Sequence, residues 1–496
     1  MENGINIKLE SITNSLGFVI PEVILSVGIL ILIFASLFSH AKQTNLISWL
    51  TLLLFVVALS YTTVGWGSTS QTNLFEGMVR KDDFASFFKI LIDIVGILTV
   101  LMSMKNNELT ESRFKSEYYI LLAAAILGAH LLAMTTHFIM AFLSLELISI
   151  TSYVLAGYSL TKNASEGSLK YFLFGSVASA VMLYGFSILF GLTGTLDFSS
   201  QVFAERLLSN QSPIILVGGL LSLGGFLYKM AAAPMHPWAP DVYEAAPMPV
   251  VAFLSVVPKL AGIAILARFT LAINLFGQSN FNWQIILAVV ALLSILIGNL
   301  SALWQNNAKR MMAYSSIAQA GFLLIGVACF SNQGIQFMLF YASVYVLSNM
   351  VVFICLQVFE KNGVNSIQSF SGLGKSRVFI SVVMLAGLVS LAGIPPTAGF
   401  TAKLFIFTTL WSAYELTKDE VLIWLLVLGL ANTVVSIFFY LKIPYYAFIK
   451  TSDSIPSAKK TAIENYLALI LVLLILFLFI RPDLLMGWLN RINFVL

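Results

Sequence analysis

Apolar runs of about twenty residues, separated by short clusters of charged, Gly, Pro and Asn residues, follow one another from residue 18 to residue 480. A hydrocarbon core about 30 Å thick needs roughly 20 such residues per helical crossing. The pattern predicts about 14 transmembrane helices, near 18–39, 46–64, 84–104, 118–134, 136–160, 168–191, 213–233, 247–272, 283–304, 311–331, 335–359, 377–415, 420–448 and 462–480. The first run follows a polar segment with Lys8 and Glu10 and lacks the basic flank and small-residue cleavage site of a signal peptide, so it is read as a retained span.

Composition agrees: 496 residues that are 59% hydrophobic and 10% charged have too little polar surface to coat a soluble globule. An all-α polytopic membrane protein is expected, with no large soluble domain. The net charge of +4 is scattered, which offers no basic face to nucleic acid and leaves the bilayer as the expected surroundings. Cys329 and Cys355 lie in separate apolar runs, so there is no CxxC and no Fe–S ligand set. His130 and His137 flank the turn between the fourth and fifth spans and His40 lies in a loop, so no facing pair is available for haem. The string SFSGLGKS at 369–376 has Ser369 where a phosphate loop requires Gly, and reads as a flexible loop. No metal or cofactor site is expected in the chain itself.

Lys and Arg set the orientation. Eight fall on the side of the N-terminus, among them Lys8, Arg80, Lys81 and Arg268, against fourteen on the other side, among them Lys42, Arg113, Lys309, Arg310, Lys459 and Lys460. By the positive-inside rule both termini face away from the cytoplasm.

Two spans are interrupted. Pro234, Pro237, Pro240, Pro247 and Pro249 follow the seventh in AAAPMHPWAPDVYEAAPMPV, and Gly393, Pro395, Pro396 and Gly399 cut the twelfth in LAGIPPTAGFTAK. Each proline removes a backbone donor, so both helices break and free polar groups that protein or water must satisfy. The broken helix is the fourth of five in spans 4–8 and again in spans 9–13. Five-helix units entering from opposite sides form an inverted repeat, the plan of secondary transporters with ion sites at discontinuous helices. The organisation expected is residues 1–117 as a three-helix segment, 118–275 and 276–450 as the two repeats, and 451–496 as a C-terminal helix.

The remaining charges lie within spans, where each costs about 2.5–3.5 kcal/mol at mid-membrane and is a functional candidate by default. Glu146 sits about 10 residues into the fifth span, Lys229 about one turn before the first proline, Lys259 just after Pro258, and Lys403 about two turns beyond Pro396. Lys170 lies within about one turn of its span's start, where its stem could equally reach the interface. Lys89 and Asp93, spaced i,i+4, read as an intrahelical ion pair. His236 falls inside the first break and is a candidate proton relay. One carboxylate with several amines suits proton handling better than metal binding, since protonated lysine has no lone pair to give. Burial weakens an amine's hold on its proton and an ionised carboxylate restores it, so a Glu–Lys contact that forms and breaks works as a switch.

The segments SLELISITSYVLAGY, EGSLKYFLFGSVASAVMLYG, YKMAAAPMHPWAPDVYEAAPMPVVAFLSVVPKLAG, NNAKRMMAYSSIAQAGFLLIG and GIPPTAGFTAKLFIF together resemble the antiporter-like membrane subunits of respiratory complex I. The resemblance is closest to the subunit N family of bacterial NADH:quinone oxidoreductase, equivalent to mitochondrial and plastid subunit 2. It implies a proton path through Glu146, Lys170, Lys229, Lys259 and Lys403. Glu146 and Lys229 would form the switching pair, Lys170 and Lys259 would relay laterally, and Lys403 would gate exchange with one bulk phase. It further implies a translocase subunit without a redox centre, in a bacterial inner membrane. Its partners would be other antiporter-like and small hydrophobic subunits, with NADH, FMN, Fe–S clusters and quinone carried elsewhere in the complex. Only about 16 residues follow the last span, too few for the long lateral helix of the distal subunit L. Two alternatives from other classes are a subunit of a multi-chain cation/proton antiporter and an inert membrane scaffold.

Overall fold

The computed structural model describes residues 12–38, 44–67, 72–110, 112, 114–209, 212–274, 281–364, 366–451, 462–492 and 494. Lys8, Glu10, His40, Lys42, Arg113, Lys459 and Lys460 lie outside them. The helices are α1 (Ile20–Phe38), α2 (Thr44–Val64), α3 (Asp83–Ser103), α4 (Lys115–Met134), α5 (Phe138–Ala156), α6 (Lys162–Thr193), α7 (Gln201–Ser209), α8 (Ile214–Met230) and α9 (Trp238–Ala245). They continue as α10 (Met248–Asn274), α11 (Trp283–Leu303), α12 (Ala308–Ala328), α13 (Asn332–Glu360), α14 (Val378–Ala392), α15 (Ala398–Thr417), α16 (Glu420–Phe448), α17 (Ala462–Ile480) and α18 (Pro482–Leu489). One antiparallel hairpin, β1 (Thr72–Leu74) with β2 (Val79–Lys81), departs from the all-helical expectation.

Twelve of these helices are long and apolar enough to cross a membrane, or thirteen if α14 is counted with the bent segment before it. The expected fourteen is not reached helix by helix because the seventh and twelfth spans are each split, into α8 with α9 and α14 with α15. No fragment of either is among the twelve. α10 is buried along its whole length and α12 and α13 almost so, while α1, α6, α16 and α17 are largely exposed. The bundle thus has three central helices, and the outer ones present Leu, Ile, Val and Phe outward, as helices solvated by lipid do. Close approach in the core uses small residues. A Cβ on Gly298 of α11 would lie 2.5 Å from the amide nitrogen of Ala318 on α12, and one on Gly321 of α12 would lie 2.7 Å from the Ala291 carbonyl on α11.

Contacts between helix ends agree with alternating threading. On the N-terminal side, Val79 pairs with Thr135, and Arg268 donates to both Asp82 oxygens, at 2.6 and 2.8 Å, and to the Ala133 carbonyl at 3.1 Å. On the other side Lys309 pairs with Glu360 at 2.6 Å and Lys361 with Glu464. Arg268 is therefore not a free interfacial cation: it is fully buried, clamping α10 to the N-cap of α3 and the end of α4.

Three further expectations change. Lys89 and Asp93 do not pair with each other; Lys89 Nζ lies 2.7 Å from Glu22 on α1 and Asp93 lies 3.1 Å from His130. Tertiary packing supplies each with a better partner than the helix's own i,i+4 neighbour. His130 belongs to α4 rather than a turn, and is wholly buried. Residues 369–376 are not a flexible loop: they form the end of a 3-10 turn and a short helical turn, with the Gly372 N–H donating to the Lys450 carbonyl at 2.9 Å.

Candidate functional site

The breaks position the buried lysines. α8 stops at Met230 because Ala231 turns left-handed (φ 53°), and α14 stops at Ala392 because Gly393 does (φ 80°). The prolines that follow cannot continue either helix, so the last carbonyls lose their intrahelical donors. Lysines take their place. Lys259 Nζ on α10 donates to the Met230 carbonyl at 2.5 Å, and Lys403 Nζ on α15 to the Ala392 carbonyl at 2.7 Å. Both ammoniums are buried at the negative end of a helix, where the backbone dipole favours a cation. A freed donor is satisfied as well: the Ala233 N–H reaches Ser294 Oγ on α11 at 2.9 Å.

Lys229, 1% exposed, ends beside the Lys259 acceptor, being the residue before Met230. Its Nζ donates to Ser149 Oγ on α5 at 3.1 Å and stands 5.9 Å above the Tyr171 ring. Tyr171 stacks on Trp238 at 4.1 Å, Tyr228 donates to the Tyr171 carbonyl at 2.7 Å, and Trp238 donates to the Tyr228 carbonyl at 3.2 Å. This aromatic cluster joins α6, α8 and α9 and sets the Tyr171 ring beneath the amine. Glu146 lies one turn before Ser149 on α5, with Oε1 buried and without a hydrogen-bond partner. Among the described residues Glu146 and Lys229 form no ion pair; the serine stands between helix and amine.

Lys170 is not in the buried line. It is 42% exposed and pairs with Glu166 and Asp241 at 2.9 Å each, while Arg310 bridges Asp241 (2.8 Å) and Glu244 (2.9 Å). This surface ion network ties α6 and α9 to α12. His236 lies in the first break, partly buried, and among the described residues makes no hydrogen bond or ion pair with any of the lysines.

Polar groups not singled out in the sequence link the two breaks through α13. Tyr345 donates to the Ser255 carbonyl at 2.7 Å and Asn349 to Ser255 Oγ at 2.6 Å, and Ser255 lies one turn before Lys259. Along the same face Ser348 meets Ser390 at 2.7 Å, and Tyr341 donates to Gln319, which reaches the Leu391 carbonyl at 3.1 Å and Tyr440 at 3.0 Å. Gln319, Tyr341, Tyr345 and Lys403 line a cavity of about 10 Å³, room for about one water. Their signal in the sequence is a Gln, an Asn and hydroxyls in otherwise apolar spans. Individually such residues are common in membrane helices; only packing shows that they converge.

The family model described as NADH:quinone oxidoreductase/Mrp antiporter, transmembrane, matches residues 135–429, which include both breaks and all the candidate lysines. NADH-quinone oxidoreductase subunit N 2 of Chloroherpeton thalassium is 40% identical over 447 residues, 88% of this chain and 85% of that protein. A chain of respiratory complex I from Thermus thermophilus superposes with a TM-score of 0.79 at 28% identity, covering 94% of this chain and 99% of that one. A chain of the Mrp complex from Dietzia sp. shares the fold, with a TM-score of 0.81 at 20% identity over 95% and 96% of the two chains. The chain belongs to the subunit N family of NADH-quinone oxidoreductases, within the wider NADH:quinone oxidoreductase/Mrp antiporter transmembrane family.

Proposed function

We propose that this chain is the proton-translocating subunit N of an NADH:quinone oxidoreductase and moves protons along a line of buried groups, from Glu146 through Lys229 and Lys259 to Lys403. The observation that carries the reading is that Lys259 and Lys403 each sit on the backbone carbonyl left open by a broken helix. An amine held by a neutral carbonyl can give up its proton without stranding a buried carboxylate charge, whereas one locked to a carboxylate cannot do so cheaply. Ser149 holds Lys229 one turn along α5 from Glu146, and Ser255, Tyr345, Asn349 and Gln319 with one water join Lys259 to Lys403. Lys170, paired with Glu166 and Asp241, would relay laterally, with His236 exchanging protons at the first break.

Counting α8 with α9 and α14 with α15 as one crossing each gives fourteen spans, with 118–275 and 276–450 as inverted repeats between a 1–117 segment and a 451–496 helix. A lysine amine seated on the carbonyl that ends the first half-helix in both units supports that symmetry. The positive-inside count puts both termini on the non-cytoplasmic side of a bacterial inner membrane. Quinone chemistry would be done in other subunits, and the neighbours would be further antiporter-like and small hydrophobic chains. The likeness to named oxidoreductase subunits over most of the chain favours this over a subunit of a multi-chain cation/proton antiporter. The test is proton uptake by vesicles carrying the assembled enzyme with Lys229→Ala or Lys403→Ala, alongside NADH oxidation. Uptake per NADH falls at least tenfold if the line conducts; unchanged uptake in an assembled enzyme would leave the chain as a scaffold.

A further inference from the structure

The three-helix segment and α4 together hold a second set of buried ionisable groups that the line through α5 to α15 does not use. Glu22 of α1, Lys89 and Asp93 of α3 and His130 of α4 form one chain of contacts. Glu22 Oε1 lies 2.7 Å from Lys89 Nζ and 3.2 Å from His130 Nδ1, and His130 Nε2 lies 3.1 Å from Asp93 Oδ1. All four side chains are at most 6% exposed, and Glu22 Oε2 and Asp93 Oδ2 are buried without partners.

The geometry fixes a proton count. A neutral imidazole has one N–H and one acceptor nitrogen, while ionised carboxylates only accept. Here both ring nitrogens face carboxylate oxygens, so both contacts are hydrogen bonds only when the cluster holds one proton beyond the lysine's. Charge says the same. Lys⁺ with two carboxylates and a neutral ring would bury one uncompensated negative charge, and one added proton brings the sum to zero.

The cluster also has a way out. Lys89 lines a cavity of about 170 Å³ together with Lys81, Ser86, Tyr61 and Thr62, at the N-terminal end of α3. A water occupies about 30 Å³ of liquid, so this space, with the amines and hydroxyls on its wall, holds several. The other charged groups on the packed elements are committed elsewhere: Arg268 to Asp82, Lys259 to the Met230 carbonyl, Glu360 to Lys309, and Glu146 on the side of α5 that carries Ser149. Lys115 and Glu117 stand at the far end of α4, Lys81 and Asp83 at the mouth, and among the phenols Tyr118 is bonded to Ser103.

We propose that α1, α3 and α4 enclose a proton-binding site, in which His130 holds one proton between Glu22 and Asp93 and exchanges it with water at the N-terminal face past Lys89. On uptake a hydronium proton passes to the Glu22 carboxylate and on to the ring, leaving water and an imidazolium; release reverses the path. Lys89 keeps its own proton and holds Glu22 in place.

The test is histidine C2-hydrogen exchange in D2O, read by mass spectrometry on the His130 peptide of the whole assembled complex across a pH series. The proposal expects deuterium incorporation with one sigmoidal pH midpoint, and a shift of that midpoint by about one pH unit or more in Asp93→Asn or Glu22→Gln. No incorporation at any pH, or incorporation without a midpoint, overturns it, since the proton would then be permanently held or never bound. The measurement needs only the unsubstituted enzyme if neither variant assembles. It does not read proton pumping, so failure of the Glu146-to-Lys403 line and failure of this site are separate results.

Discussion

Ser149 holds the Lys229 amine one turn along α5 from Glu146: its hydroxyl accepts from the amine at 3.1 Å while donating to the Leu145 carbonyl at 2.6 Å. Ser149→Ala removes the only hydrogen-bond partner of Lys229 among the described residues, at a cost of about 1–3 kcal/mol for a buried charged donor. We expect proton uptake per NADH to fall about fivefold or more with the enzyme still assembled, measured in vesicles against NADH oxidation. Asp82 should behave differently. Asp82→Ala strands the fully buried Arg268 guanidinium, and losing one partner of a buried pair costs about 3–5 kcal/mol. The expected outcome is a drop in thermal stability and in the amount of assembled enzyme, which blue-native gels and melting curves would register; a normal melt would mean that water reaches the arginine. At this scale the candidate amines were legible because a charge in an apolar run stands out whatever its neighbours. Their partners were not. Arg268, near the end of α10, reads as interfacial by its position, and Glu22, two residues into α1, draws no notice in the sequence; packing against α3 and α4 buries both.

The two broken helices were legible as elements for the same reason that they break: proline lacks the donor that the next turn needs. What satisfies the freed groups was not legible, because Lys259, Ser294 and Lys403 come from other turns and other helices. Gly399 shows how tight that closure is. A Cβ there would fall 1.7 Å from the Ser390 carbonyl oxygen, so α15 can fold back on α14 only with glycine at this position. Gly399→Ala must separate the halves of the twelfth span, and overpacking of this kind costs about 1–3 kcal/mol. We expect a lower melting temperature and loss of pumping together, since Lys403 lies one turn further on. Gly191→Ala is the matched control: a Cβ there meets nothing within 4 Å, and its effect should stay within about 0.5 kcal/mol. Equal effects of the two substitutions would show that the close approach is not what seats Lys403.

For the molecule as a whole, the question is whether the two halves conduct as one path or as two. Lys259 and Lys403 sit on opposite breaks, and α13 lies between them, nearly all of it buried. A hydrophobic helix there would insulate one break from the other; this one instead carries Tyr345 and Asn349, both of which bind Ser255 beside Lys259, and Ser348, which meets Ser390 beside the Lys403 cavity. Buried polar groups of this kind are costly unless mutually satisfied, and here each has a partner on a different helix. Tyr345 and Asn349 hold the same link, so their contributions should not multiply. Tyr345→Phe and Asn349→Leu are each expected to lower proton uptake about fivefold, corresponding to about 1 kcal/mol, while the double variant should be little worse than the stronger single one. NADH oxidation measured with an uncoupler reports whether the rest of the enzyme is intact. Independent losses that multiply to about 25-fold would place the two residues on separate routes, and single variants that pump normally would mean that protons do not cross α13 at all, leaving each half to exchange with its own side of the membrane.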